Sequence, residues 1–415
     1  MNRMKFSVLG TVFLVILFQA GTALGIPIFA RKYNVSCFTC HTAFPTLNEF
    51  GQRFKANGYQ IPATLEDTPI WDSNQLPIAA VAHSVYEGGK VTDHTVEDAS
   101  ETTSGFADTG VDVLSGGTLT RHVSYFLGLP IEEGEVEVEQ SLIILNNLSS
   151  SPTNWVNLKI GKFFLDTPFA ENLMVPGAIN QTLFLSPMEE GFALGSPQLG
   201  AAVMGLMTGV GGGLRYEAGI FNGNNISSDN NLSKDFYARV TQGFDVNSAP
   251  LRVGFLVYHG KQPVGEAESS FNRVGVDFEM YDPRTKRVYV YGEFMHGTDD
   301  DSDPVDPGDQ PFEFNGFFIG SNILVKPEEL MVFIKYDHID VTQQYDLDPA
   351  VIADYGDVNT VSTFDIGLRY FVIANVALQV EFINEQNTIG YPSNGAARVI
   401  DVDSRTYAIG FDFDF

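Results

Sequence analysis

The sequence closes on Tyr407-Ala408-Ile409-Gly410-Phe411-Asp412-Phe413-Asp414-Phe415. Tyr407, Ile409, Phe411, Phe413 and Phe415 occupy one set of alternate positions, and Ala408, Gly410, Asp412 and Asp414 the other. Side chains of a strand point alternately to its two faces, so the stretch reads as a strand with one apolar face and one small or acidic face. Three upstream stretches repeat the pattern. Val376, Leu378, Val380 and Phe382 oppose Gln379 and Glu381; Phe364, Ile366, Leu368 and Tyr370 oppose Asp365 and Arg369; Val274, Val276 and Phe278 oppose Arg273, Asp277 and Glu279. A soluble sandwich alternates in the same way, so the links between strands carry the decision.

Sixteen candidate strands begin near Leu76, Val111, His122, Val136, Asn154, Leu199, Gly213, Asp235, Pro250, Phe271, Lys286, Phe312, Leu330, Val361, Asn375 and Ser404. Long polar links follow the odd strands, such as Glu87 to Gly110, Leu165 to Gln198, Asn222 to Lys234, Gly297 to Pro311, Val341 to Thr360 and Glu385 to Asp403. Short turns follow the even ones, such as Lys326 to Glu329 and Ile373 to Ala374. Long links on one rim, tight turns on the other, an even strand number and a terminal Phe are the layout of an outer-membrane barrel. In lipid no strand edge can stay unpaired, which forces the sheet to close, and sixteen strands enclose an aqueous lumen. The expectation is a mainly β chain, a 16-stranded antiparallel outer-membrane β-barrel whose alternate charged residues line the lumen and whose ends lie at the short-turn, periplasmic rim. The link from Glu132 to Glu135 is short for an outer loop and is the irregular point of the count.

The N-terminal part differs. Arg3 and Lys5 precede a mostly apolar run of fifteen residues, Phe6 to Ala20, and small residues around Ala23-Leu24-Gly25 follow. That is the layout of a secretory signal over residues 1–25, since a spanning helix needs roughly 20 apolar residues. The whole chain has a net charge of −28. Phosphate partners require basic patches, which argues against nucleic acid and anionic lipid and leaves cationic partners open. Ile26 to Gln60 is the exception, with Arg31, Lys32, Arg53 and Lys55 against Glu49 alone.

Both cysteines of the chain fall in this basic segment, in Cys37-Phe38-Thr39-Cys40-His41. The spacing C-x-x-C-H is that of c-type haem attachment: two thiols form thioethers on one edge of the porphyrin, and His41 ligates the iron from the proximal side. A disulfide would leave the adjacent histidine unexplained, a zinc site would need four ligands, and a thioredoxin-like pair would need a βαβ setting. Leu47, Phe50 and Phe54 recur at helical spacing and predict one helix from about Pro45 to Ala56, with an apolar face for the haem. So few residues bury little core unaided, and the unit is expected to lean on the barrel. Neither Met nor His lies between His41 and the first strand, so a distal ligand must come from elsewhere. His83, Met174 and Met188 are candidates, and the ligand stays unassigned. The expected division is signal peptide at 1–25, monohaem cytochrome c domain at 26–70 and transmembrane β-barrel at 71–415.

Pro27-Ile28-Phe29-Ala30-Arg31-Lys32, then Cys37 to His41 with Thr42, Pro45, Leu47, Asn48, Gly51, Phe54, Gly58 and Tyr59, resemble the fused monohaem cytochrome-porin family of bacterial outer membranes, iron oxidases among them. The resemblance implies one covalent haem c on Cys37, Cys40 and His41, seated in the barrel lumen or at its periplasmic side. It further implies an oxidoreductase passing electrons from extracellular Fe(II) to periplasmic carriers. Alternatives kept open are outward electron flow, a passive porin plugged by the haem unit, and a small-molecule haem enzyme such as a peroxidase. Nothing in the sequence marks a subunit interface, and a porin-like homo-oligomer stays open.

Overall fold

The computed structural model describes residues 27–43, 46–61, 69–70, 76–94, 99–132, 134–149, 155–167, 192–208, 212–225, 229–246, 249–264, 267–282, 287–300, 312–343, 359–373, 375–393 and 396–414. The segment assigned to a signal peptide lies outside them. Among them a closed antiparallel barrel runs through sixteen strands: β1 Ile78–Asp93, β2 Ala99–Thr120, β3 Val123–Glu132, β4 Gln140–Leu145, β5 Asn157–Phe163, β6 Gln198–Met207, β7 Leu214–Phe221 and β8 Asp235–Val246. β9 Ala249–Val264, β10 Ala267–Tyr281, β11 Val288–Asp299, β12 Phe312–Lys326, β13 Leu330–Gln343, β14 Asn359–Ile373, β15 Val376–Ser393 and β16 Ala396–Asp414 complete it. Each strand pairs with its sequence neighbours, and β16 closes on β1 in the register Tyr407 with Gly88 and Phe411 with Ser84. Closure leaves no edge without hydrogen bonds.

The alternation read from the sequence sorts outside from inside. Leu378, Val380, Ile409 and Phe411 are exposed on the outer wall, whereas Gln379, Glu381, Ala408 and Asp412 are buried in the lumen. β13 and β14 do the same, with Ile334, Phe364 and Ile366 outward and Lys335, Asp365 and Arg369 inward. No helix among the described residues is long and apolar enough to cross a membrane, a statement that does not bear on strands.

Two predicted long loops are strand instead. β1 and β2 carry the sheet through most of 87–110, and β15 and β16 through most of 385–403. Ala99 to Phe106 are exposed at every position, so this hairpin is wet on both faces and lacks the alternation that marks a strand over a core. At the irregular link, Glu135–Val136 pairs with Glu132 and Ile131 as a short extension of β3, and the next barrel strand starts at Gln140 rather than near Val136.

Among the described residues three short helices precede the barrel: α1 Pro27–Tyr33, α2 Cys37–Cys40 and α3 Glu49–Ala56. α1 was not predicted. α3 starts later than expected because Asn48 caps it, its side chain accepting from the Gly51 amide at 3.0 Å. Phe54 is buried, and its ring packs on Phe29 (5.1 Å between centroids), Tyr33 (5.6 Å) and Tyr59 (6.0 Å). The expected apolar face for a haem is therefore divided. Phe54 serves the protein core, and Phe50 is 40% exposed.

Candidate functional site

The Cys37–His41 stretch forms one helical turn. Ser36 caps it, accepting from the Phe38 amide at 3.3 Å, and the His41 amide donates to the Cys37 carbonyl. Residues 37 and 40 stand one turn apart on the same side of the helix, and His41 follows as its extended C-cap. The thiols are not joined in a disulfide. Cys37 and His41 are buried, and burial pushes the Cys40 thiol up to about 11. A thiol so weakly acidic is a poor thiolate nucleophile for disulfide exchange. The donor set, two thiols not joined in a disulfide and the next imidazole, fits covalent attachment of a haem c, in which Cys37 and Cys40 would be the attachment points and His41 the iron ligand.

Asn48 fixes that turn. Its Nδ2 donates to the carbonyls of Phe38 (3.3 Å) and Thr39 (3.1 Å), and its backbone amide donates to the Cys40 carbonyl at 2.8 Å. One side chain thereby caps α3 and ties it to α2. Gly51 allows the approach, since a Cβ there would meet the Cys40 carbonyl oxygen and Leu47. The polar residue before the helical run was the available cue for the cap; the reach back to α2 was not legible locally.

The unit sits inside the barrel at its short-turn end. Gln60 donates to the Arg121 carbonyl (3.1 Å), Ser124 to the Gly58 carbonyl (2.6 Å), Asn157 to the Ala56 carbonyl (3.3 Å) and Arg53 to the Gly212 carbonyl (3.3 Å). Lys32 reaches Thr118 Oγ1 (2.6 Å), and Gln52 bridges Glu279 (2.8 Å) and Arg215 (2.8 Å). These partners lie at or near the short-turn ends of strands around much of the barrel. Across the mouth, Phe38 packs on Phe371 with centroids 5.7 Å apart, in a patch with Met331, Phe333 and Ala377. Each hydrogen bond contributes only about 1 kcal/mol net, but a ring of them fixes orientation as well as position.

The long link after β5 also turns inward at both described ends. Its Asp166 carbonyl accepts from Tyr237 (2.8 Å) and Arg239 (2.9 Å), and Phe192 packs on Tyr258 (4.2 Å) and Phe271 (4.8 Å). Burial opposes ionisation of Asp166, but Arg215, Arg239, Lys55 and Lys159 outweigh it and hold the carboxyl well below the ordinary range. Of the distal-ligand candidates, His83 is buried on the lumen face of β1 with its Nδ1 3.6 Å from Asp112. Met174 and Met188 lie outside the described residues.

The architecture has close parallels among solved structures. The fold is porin-like. An anion-selective porin from Comamonas acidovorans superposes with a TM-score of 0.56 at 11% identity, over 81% of this chain and 99% of the porin. The outer membrane channel DcaP of Acinetobacter baumannii gives 0.54 at 11% identity, over 81% and 97%. OprB of Pseudomonas putida gives 0.50 at 10% identity, over 81% and 93%. No protein-family model matches the sequence, and no curated protein does. At such identities the likeness is one of fold alone.

Proposed function

We propose that the protein is an outer-membrane electron-transfer barrel, an iron-oxidising cytochrome that takes electrons from extracellular Fe(II) and hands them to a periplasmic carrier through one c-type haem on Cys37, Cys40 and His41. The observation that carries this reading is the place of the attachment turn. It is locked into the short-turn mouth, the end that faces the periplasm in barrels of this layout. An apolar wall about 25 Å tall separates external donors from that side, and a redox group inside the lumen shortens the gap. When bound, the haem supplies a one-electron couple: each Fe(II) releases one electron and leaves as Fe(III), and the ferric haem becomes ferrous. The chain's own residues anchor the group, exclude bulk water from Cys37 and His41, and hold the turn against the wall. Anaerobic addition of Fe(II) to the oxidised protein tests it, with the haem bands monitored. Haem that stays ferric, or that fails to cycle in potentiometry, sinks the reading.

The porin-like fold favours one other reading, a passive channel with the N-terminal unit as plug. The seated unit restricts current in both readings, so redox cycling separates them: haem that never cycles, in a barrel that conducts in planar bilayers once the N-terminal unit is proteolysed, would support the channel.

A further inference from the structure

The outer wall of the barrel is not equally tall all round. Five residue pairs join β4 to β5 and seven join β5 to β6, against eighteen between β15 and β16. On β14 the outward residues Phe364, Ile366, Leu368, Tyr370 and Val372 stay apolar for about 26 Å along the strand, at roughly 3.3 Å per residue, comparable with a lipid-facing band about 25 Å tall. On β4 the outward apolar pair is Ile143 and Leu145, with exposed Ser141 above it, and on β5 it is Leu158 and Ile160, with Lys162 above. Even counted from exposed Trp155 in the turn beneath, the apolar stretch that ends at Ile160 covers about 17 Å. The rings are distributed in the same way. Every strand from β8 to β16 turns an aromatic side chain outward, Phe255, Phe294, Tyr336 and Tyr407 among them, whereas the described residues of β4, β5 and β6 turn none. Barrel walls that face lipid carry such rings at the membrane interfaces.

A wall too short for its bilayer is accommodated by thinned lipid, by snorkelling of long side chains or by association. Here the deficit is confined to one sector, and lipid thinned to suit it would mismatch the tall arc beside it. Lipid at full height would instead cover Ser141 and Lys162, whose ammonium donates to the Val138 carbonyl at 2.5 Å, and charge on the lipid face costs more the deeper it lies. We infer that the arc β4 to β6 is the surface on which the protein docks a second copy of itself within the membrane. Copies inserted in one bilayer share orientation and depth, so arc meets arc at equal height about an axis normal to the membrane. The arc suits its own likeness. Ile143, Ile160, Leu199 and Val203 are 39–49% exposed at its centre, and small Ala201 among them lets two walls approach. The upper edge carries Lys162 together with exposed Glu135 and Glu137, so a self-paired contact brings opposite charges within reach. The link after β5 turns into the lumen at both described ends, and the aliphatic side chains of the arc stay uncovered. This docking stands whichever reading of the function holds.

Cross-linking of the full-length protein in intact outer membranes tests the contact. Ile143→Cys, Ile160→Cys and Leu199→Cys each place one thiol on the arc, and Val276→Cys, at a position 48% exposed on β10, places one on the tall wall as control. All four keep a small apolar side chain outward, and heat-modifiable gel migration confirms that each barrel has assembled. A short bifunctional maleimide should shift at least one of the arc variants to twice the protomer mass. Val276→Cys, and the parent with its own Cys37 and Cys40, should stay at one. No linked product from any of the three arc positions overturns the interface and points to lipid thinned against the low wall. As much linked product from Val276→Cys overturns it too, because the contact would then be random collision. Mass spectrometry of the linked band names the partner, and a band that holds another polypeptide in place of a second copy removes the self-contact.

Discussion

Gly58, two residues beyond α3, has φ +68°, and a Cβ there would run into the side-chain oxygen of Asn146. Two penalties coincide, one conformational and one steric, at the carbonyl that Ser124 holds. Gly58→Ala should loosen the plug by about 1–3 kcal/mol, seen as faster limited proteolysis of the N-terminal segment while the barrel keeps its folded migration. Cys37→Ala with Cys40→Ala should abolish covalent haem, since both thioether positions are gone, and the barrel should still assemble because its ladders do not include the turn. Haem-stained denaturing gels give the answer, and undiminished stain would remove the attachment site. Asn48 belongs at this scale too. Its cap on α3 was foreseeable, but its bonds to Phe38 and Thr39 depend on the chain folding back so that His41 pairs with Leu47.

At the scale of strands and links, the outer face of β16 is the sensitive surface. Ile409 is 57% exposed there, opposite Val380 on β15. Ile409→Arg should lower barrel stability by about 2–4 kcal/mol if it sits near the midplane, measured by urea unfolding in lipid vesicles. The inward link after β5 has its own acid dependence. Asp166 lies 3.4 Å from both Arg215 and Arg239, and its folded-state carboxyl ionises well below the unfolded one. A depressed carboxylate stabilises the fold above its unfolded value, about 3.9, and that contribution drains as pH falls through the folded value. The stability difference between parent and Asp166→Asn should therefore be constant from neutral pH down to about 5 and shrink below about 4. A difference unchanged at lower pH would show that the arginines do not act through this carboxylate.

For the whole molecule, the balance is acidic and the outer links carry much of it. The run Asp299, Asp300, Asp301, Asp303, Asp306 and Asp309 reads as a cation collector, but Asp299 is not available for that. It ends β11 with its carboxylate buried against Arg273 at 2.5 Å. Its loss would unseat a wall arginine and confuse the readout. Asp301, Asp303, Asp306 and Asp309, all outside the described residues, are the set to neutralise. Their change to Asn should slow Fe(II) reduction of the haem by up to about 10-fold at low salt, and the deficit should fade as salt screens the field. Equal rates at low ionic strength, or a deficit that survives high salt, would reject electrostatic collection by this link.

The sequence by itself determined the barrel, its strand number and the inward and outward faces of strands such as β14, β15 and β16, and it carries the five-residue motif on which the haem proposal rests. Those are local signals: a period of two over a wall with unlike faces, and a motif within five residues. Strand ends at the outer β1–β2 hairpin escaped it because a hairpin wet on both faces has no alternation to read. Only the tertiary structure decided which charges meet. Arg369 is spent on Asp412 from β16, Asp299 on Arg273 from β10, and His83 stands by Asp112 on β2. Strand register sets these pairings, because it decides which inward residues of adjoining strands stand at the same height. It also sets Asp365 across from Lys335 and beside Glu381. The seating of the N-terminal unit has the same origin, since its partners from Thr118 to Glu279 share nothing in sequence beyond lying near one end of their strands.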